Sequence, residues 1–155
     1  PATLLVLIGL MFIGGSPGST AGGIKTTTAV VFYKDILSKF TRRPASFFKR
    51  TIKDESRERA IVIMVLAVIL ILSITFFLLL IEKKTGLTLF FEVTSAFGTV
   101  GLSTGLTPAL SSIGKLLICF TMYAGKLGPL TLSALFIQRK GGILYHYPQE
   151  NIMTG

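Results

Sequence analysis

Residues 61–81 read IVIMVLAVILILSITFFLLLI, and only Ser73 and Thr75 interrupt the apolar run. A helix of that length reaches about 31 Å, the thickness of a bilayer's hydrocarbon core. The run predicts a membrane-crossing helix, and it constrains everything joined to it. In lipid, each backbone N–H and C=O needs a partner within the protein, so the remainder of the chain is confined to helices, or to irregular backbone enclosed by protein or lining a wet path. Composition agrees: half of the 155 residues are hydrophobic and the mean hydropathy is +0.70, above that of soluble domains. The fold class expected is an all-α membrane protein.

Charge sets the orientation. The net charge of +9 would suit a nucleic-acid partner, but ten of the sixteen Lys and Arg residues lie between Lys25 and Arg59, one block between apolar segments. That placement marks the cytoplasmic side of a membrane protein, and no nucleic-acid partner is expected. Arg57 and Arg59 put the first end of the 61–81 helix inside. Glu82 nearly cancels Lys83 and Lys84 at its second end. The single Cys119 lies in an apolar run and reads as a small core residue. Pro1 is not a start residue and no basic leader precedes the first apolar run, so the chain is expected to be a fragment beginning inside an element.

After residue 87 the apolar stretch is too short to cross. Thr88 to Phe97 spans about 15 Å as helix, half the core thickness. It runs into Gly98-Thr99-Val100-Gly101-Leu102-Ser103-Thr104-Gly105. The pattern predicts a re-entrant segment over 88–105: a short helix entering from outside, then extended backbone returning. Glu92 lies in that short helix, either to attract ions or to brace the turn. A Thr-Val-Gly run at such depth resembles the filter of potassium channels, where carbonyls replace the ion's water.

A second interruption comes earlier. The apolar residues 2–13 are followed by Gly14, Gly15, Ser16, Pro17, Gly18, Ser19, Thr20, Ala21, Gly22 and Gly23, after which a helical pattern resumes from Ile24 to Ser38. Glycine and proline at this density break a helix. Residues 1–38 are therefore expected to form one broken transmembrane helix with an intramembrane loop at 14–23, the kind of break that marks ion sites and gates. Residues 18–26 also resemble a phosphate-binding P-loop, but an extra residue before Lys25 turns the lysine about 100° away on the helix. Inert packing is the remaining alternative for this loop.

Residues 39–60 hold eight Lys and Arg, and Pro44 breaks any helix there. They form a basic cytoplasmic connection, a topology signal or a docking segment for a soluble partner. A last helix is expected over 112–138, with Arg139 and Lys140 returning it to the inside, and a cytoplasmic tail over 139–155. Lys126 interrupts that helix about 20 Å from either end, where insertion costs roughly 3 kcal/mol. It is expected to meet carbonyls, a carboxylate or water, as a tether or as a pore charge. Gly125, Gly128 and Pro129 would loosen the helix around it. The lone His146 sits in the tail and suggests no metal cluster. No nucleophile–base pair appears either, so no enzyme activity and no cofactor are expected.

Three motifs carry a resemblance. Gly14-Gly15-Ser16-Pro17-Gly18-Ser19-Thr20-Ala21-Gly22-Gly23-Ile24-Lys25-Thr26, Ala96-Phe97-Gly98-Thr99-Val100-Gly101-Leu102-Ser103 and Gly128-Pro129-Leu130-Thr131 are similar to those of the Trk/Ktr/HKT superfamily of cation transporters. The resemblance implies four membrane helix–pore loop–membrane helix repeats around one pore, with residues 1–38 the second helix of repeat three and 61–138 the complete repeat four. It implies potassium uptake across the bacterial cell membrane through a selectivity filter of Thr99, Val100, Gly101, Leu102 and Ser103. K+ would bind the carbonyls of Thr99, Val100 and Gly101, and the 14–23 loop would be the gate. It further implies a homodimer and a cytosolic nucleotide-binding regulatory subunit of the KtrA-like kind, with 39–60 and the tail as candidate contacts. The superfamily usually carries arginine at the position of Lys126; lysine keeps the charge without the planar fork of donors. A non-conducting anchor or assembly subunit, or a sodium-coupled transporter, are the rival functions.

Overall fold

The computed structural model describes residues 2–41, 46–47, 50–51 and 54–138, with side chains described for 2–41 and 54–127. The tail over 139–155, with His146 and the Arg139–Lys140 flank, lies outside the described residues, as does part of the 39–60 connection. Helix α1 (Ala2–Phe12) stops ahead of the glycine-rich loop, and α2 (Thr26–Thr41) starts beyond it. The paired strands β1 (Ser46–Phe47) and β2 (Arg50–Thr51) form a minimal antiparallel hairpin. Helix α3 (Asp54–Ile81) follows, then α4 (Gly86–Gly98), a single 3₁₀ turn (Thr107–Ala109) and α5 (Ser112–Gln138).

Helix α3 takes in the apolar run and extends it by two turns at its first end. Asp54 and Glu55 in the first turn complement the positive end of the helix dipole. Among the described residues it is the one helix long and apolar enough to cross a membrane; α1 is apolar but shorter. Val65, Leu66, Ile69, Leu72, Phe76, Phe77 and Leu80 on α3 are all exposed, a surface suited to lipid or to further protein rather than to water.

The short helix α4 is the centre of the assembly, with α1, α3 and α5 packed around it. Leu89, Val93, Ala96 and Phe97 of α4 are buried against Ala67, Ile71, Ile74 and Leu78 of α3 and Ile118 of α5. Phe91 packs with Ile8 and Met11 of α1, and Phe12 stacks on Phe97 with ring centroids 6.4 Å apart. Lipid tails are as apolar as leucine, so helices in a bilayer gain from close packing and internal hydrogen bonds more than from leaving water. Gly125 of α5 shows this: a Cβ there would lie 2.0 Å from the Phe97 carbonyl oxygen. Helix α5 continues across Gly125, Gly128 and Pro129.

On the side of the basic connection, the buried carboxylate of Asp35 on α2 pairs with Arg57 of α3, and Lys39 reaches it at 3.1 Å. The guanidinium's pKa rises further because its charged form donates to Asp35. A buried charge left unpaired is costly, so this pair fixes α2, the segment just past the glycine loop, against α3.

Candidate functional site

Two stretches of irregular backbone meet beneath α4. The first is the turn over 98–107. Helix α4 closes with the N–H of Thr99 on Ala96 O (3.1 Å) and that of Val100 on Ser95 O (3.0 Å). Thr99 takes the left-handed conformation usual at a helix C-terminus, with φ +51° and ψ +38°. For a residue with a side chain this costs about 1–2 kcal/mol. The chain then runs back along α4, so that Leu102 faces Ser95 and residues 103–107 face Glu92.

Glu92 is 4% exposed and its carboxylate is fully used. Oε1 accepts from Ser103 Oγ (2.8 Å), the Thr104 N–H (2.7 Å) and Thr104 Oγ1 (2.9 Å); Oε2 accepts from Thr107 Oγ1 (2.5 Å). Of the two roles open to Glu92, the geometry gives bracing. Ser95 Oγ donates to the Leu102 carbonyl at 2.5 Å. The turn is thus pinned at Leu102, Ser103, Thr104 and Thr107. The carbonyls of Thr99, Val100 and Gly101, by contrast, accept no hydrogen bond from any described residue. These three residues are exposed on this chain. Gly101 has φ +84° while a Cβ there would touch nothing within 4 Å, so the backbone conformation, not lack of room, calls for glycine.

The second stretch is the 14–23 loop. Its neck is closed where Ile13 and Ile24 pair side by side, the Gly14 N–H donating to Ile24 O at 2.7 Å. This pairing is why α2 starts at Thr26 rather than at Ile24. The ammonium of Lys25 turns back and donates to the carbonyls of Ala21 (2.7 Å) and Ser19 (3.2 Å). A phosphate-binding lysine would point its charge outward; here it is spent on the loop's own acceptors. At the loop's end the Gly22 N–H donates to Thr99 Oγ1 (2.8 Å) and the Gly23 N–H to the Gly125 carbonyl (3.1 Å).

Loop and turn line one cavity of about 420 Å³, walled by Gly14, Gly15, Ala21, Gly98, Thr99, Val100 and Leu102 with the end of α1. Behind the turn a second cavity of about 300 Å³ is lined by Glu92, Ser95, Thr99, Gly101, Ser103 and Thr107. Lys126 follows Gly125, the residue that receives the loop, so it stands at the loop's level on α5. It is exposed and has no hydrogen bond or ion pair among the described residues. Among those residues no cluster of His, Cys, Asp or Glu could hold a metal ion.

Glu82, in sequence only a flanking charge, has a partner that its sequence position does not reveal. Its Oε1 accepts the Ser111 N–H at 2.8 Å, at the start of α5, and Gly114 leaves room for it, since a Cβ there would lie 2.6 Å from that oxygen. Hydrogen bonds from the Ser111 side chain and backbone hold the Glu82 carboxyl below the usual glutamate range. The Glu82–Ser111 contact joins the end of α3 to the start of α5 across the outer rim of the turn. The signal available was a carboxylate followed, beyond the re-entrant segment, by a Ser-Ser helix start.

The chain matches a family model described as TrkH, cation transport protein, over residues 1–142. It is 39% identical over 158 residues to the Ktr system potassium uptake protein D of Bacillus subtilis (strain 168), covering 99% of this chain and 34% of that protein. It is 41% identical over 164 residues to the potassium/sodium uptake protein NtpJ of Enterococcus hirae, covering 99% and 36%. With the Ktr system potassium uptake protein B of Vibrio alginolyticus it shares 38% identity over 153 residues, covering 98% and 33%. The chain spans about a third of the length of these relatives.

Proposed function

This chain belongs to the TrkH family of cation transport proteins, and from that premise we propose that it forms one quarter of a potassium uptake pore together with the gate beneath it. The family is one of membrane transporters, and curated relatives are potassium uptake proteins. In the proposal, potassium loses its water to the carbonyls of Thr99, Val100 and Gly101, with Leu102 and Ser103 completing the turn. It then enters the cavity shared with the 14–23 loop, which opens and closes the path. Lys126 adds a fixed positive charge at the level of that loop. No bond to the ion is covalent, and no cofactor is needed; the work is replacement of hydration by main-chain oxygens.

One observation supports this reading above the rest. The turn's donors are gathered by Glu92 and its Leu102 carbonyl by Ser95, which leaves three successive carbonyls without a partner. Unpaired carbonyls at that depth cost several kcal/mol each unless water or a cation meets them. The remaining repeats would come from the rest of the full-length subunit, a multi-pass protein of the bacterial cell membrane. A homodimer and a nucleotide-binding cytosolic regulator belong to the same proposal, with the segment over 39–60 as a contact. One relative's name pairs potassium with sodium, so coupling to sodium is the second reading.

The test is Gly101→Ser in the full-length subunit. A side chain at φ +84° shifts the flanking carbonyls, so potassium uptake should lose its preference over sodium. Uptake kinetics equal to the unmodified protein for both ions would remove the turn from the ion path. Deleting several residues of the 14–23 loop should raise flux; a fall that merely tracks expression would remove the loop as gate.

A further inference from the structure

Thr99 stands out because it is the one described non-glycine residue with positive φ. Glycine takes this conformation freely, and Gly98 and Gly101 show that the local sequence admits glycine. A β-branched residue at such a position calls for a reason in its side chain. Here the hydroxyl supplies one: Thr99 Oγ1 accepts the Gly22 N–H at 2.8 Å, across 77 positions of sequence. The loop side is fitted to the same contact, since a Cβ on Gly22 would lie 2.8 Å from Thr99 Cγ2 and 2.9 Å from Oγ1. The neighbouring Gly23 N–H goes to α5 instead. Thr99 is thus the described residue through which the loop hydrogen-bonds to the turn.

We propose that Thr99 is a positioning residue that couples the loop to the filter: its hydroxyl ties the loop's closed position to the spacing of the Thr99, Val100 and Gly101 carbonyls. The inference rests on reading the turn as the ion path and the loop as the gate. When the loop withdraws, the Gly22 N–H leaves, the left-handed conformation of Thr99 loses its tie, and the carbonyl of Thr99 is free to turn. Conductance and ion preference are then two readouts of one contact. Threonine serves by its hydroxyl toward the loop, while its carbonyl serves the ion.

The experiment compares potassium and sodium uptake by the full-length subunit with Thr99→Ser, Thr99→Gly, Gly22→Ala and the double variant Thr99→Gly/Gly22→Ala. Thr99→Ser keeps the acceptor and should depart from the unmodified protein less than Thr99→Gly does, in both maximal rate and potassium preference. Thr99→Gly removes the acceptor while suiting the backbone conformation, so a loss of folding is not at issue. It should raise maximal uptake severalfold and lower potassium preference together. Gly22→Ala should move both quantities the same way, and the double variant should go no further than either single one. Thr99→Gly behaving as Thr99→Ser, or effects that multiply in the double variant, would overturn the coupling alone. Uptake by the unmodified protein without potassium preference would overturn the pore reading and the coupling with it.

Discussion

The turn over 98–107 and the loop over 14–23 are both irregular backbone between helices, and each is held by one charged side chain of opposite sign. Glu92 collects donors: two threonine hydroxyls, a serine hydroxyl and a backbone N–H. Lys25 collects acceptors: the carbonyls of Ser19 and Ala21. Each choice decides what is left over. A carboxylate brace leaves the turn with free carbonyls, which suit a cation. An ammonium brace leaves the loop with free N–H groups at Gly22 and Gly23, which it gives to Thr99 and Gly125. The lesson is that the counter-charge inside a segment sets the polarity of the surface the segment offers.

The largest expected effect comes from removing the brace of the turn. Glu92→Ala removes the shared acceptor of four part-buried hydrogen bonds and should destabilise the full-length subunit by about 2–3 kcal/mol, the scale for losing hydrogen bonds to a charged group. Uptake should fall below detection and the thermal midpoint should drop. Glu92→Gln retains part of the acceptor set and should fall between; equal midpoints for Glu92→Ala and the unmodified protein would break the comparison.

A smaller effect, of opposite sign in function, is expected on the loop. Lys25→Met frees two carbonyls and loosens the loop, a change of about 1–2 kcal/mol and so roughly tenfold in the balance of closed and open states. Flux measured in reconstituted vesicles should rise while the midpoint changes little. A fall in flux matching that of Glu92→Ala would show that loop and turn are held for the same purpose, and the contrast would be lost.

The smallest effect sharpens the outer rim. The Glu82 carboxyl is held below its ordinary value of 4.5 by Ser111. Its contribution is therefore present above the unfolded-state pKa and is lost as pH falls through the lower folded value. The thermal midpoint of the unmodified protein should decline on acidification past that range, and Glu82→Gln should show a shallower decline. Identical pH profiles would mean that the Glu82–Ser111 contact carries no stability.

How far the sequence could be read depended on the range of the interaction. The apolar run at 61–81 and the glycine-dense break at 14–23 were plain, because helix length and glycine content act within a few residues of themselves. The basic connection reads as one charged segment, yet α3 begins within it at Asp54 and Arg57 turns inward to Asp35. A charge count gives no partner 22 positions away. The role of Glu82 is hidden from the sequence for the same reason, its partner lying 29 positions on.

By itself, then, the sequence determined a mostly helical membrane chain, its two interruptions, and membership in a cation transport family, since each follows from local composition or from motifs. Only the tertiary structure decided that Glu92 braces rather than faces an ion, that Lys25 closes on its own loop, and that Gly22 reaches Thr99. These are choices among hydrogen-bond partners far apart in the chain. Each polar group in a dry interior takes whichever partner packing brings within about 3 Å, and helix packing alone sets which one that is.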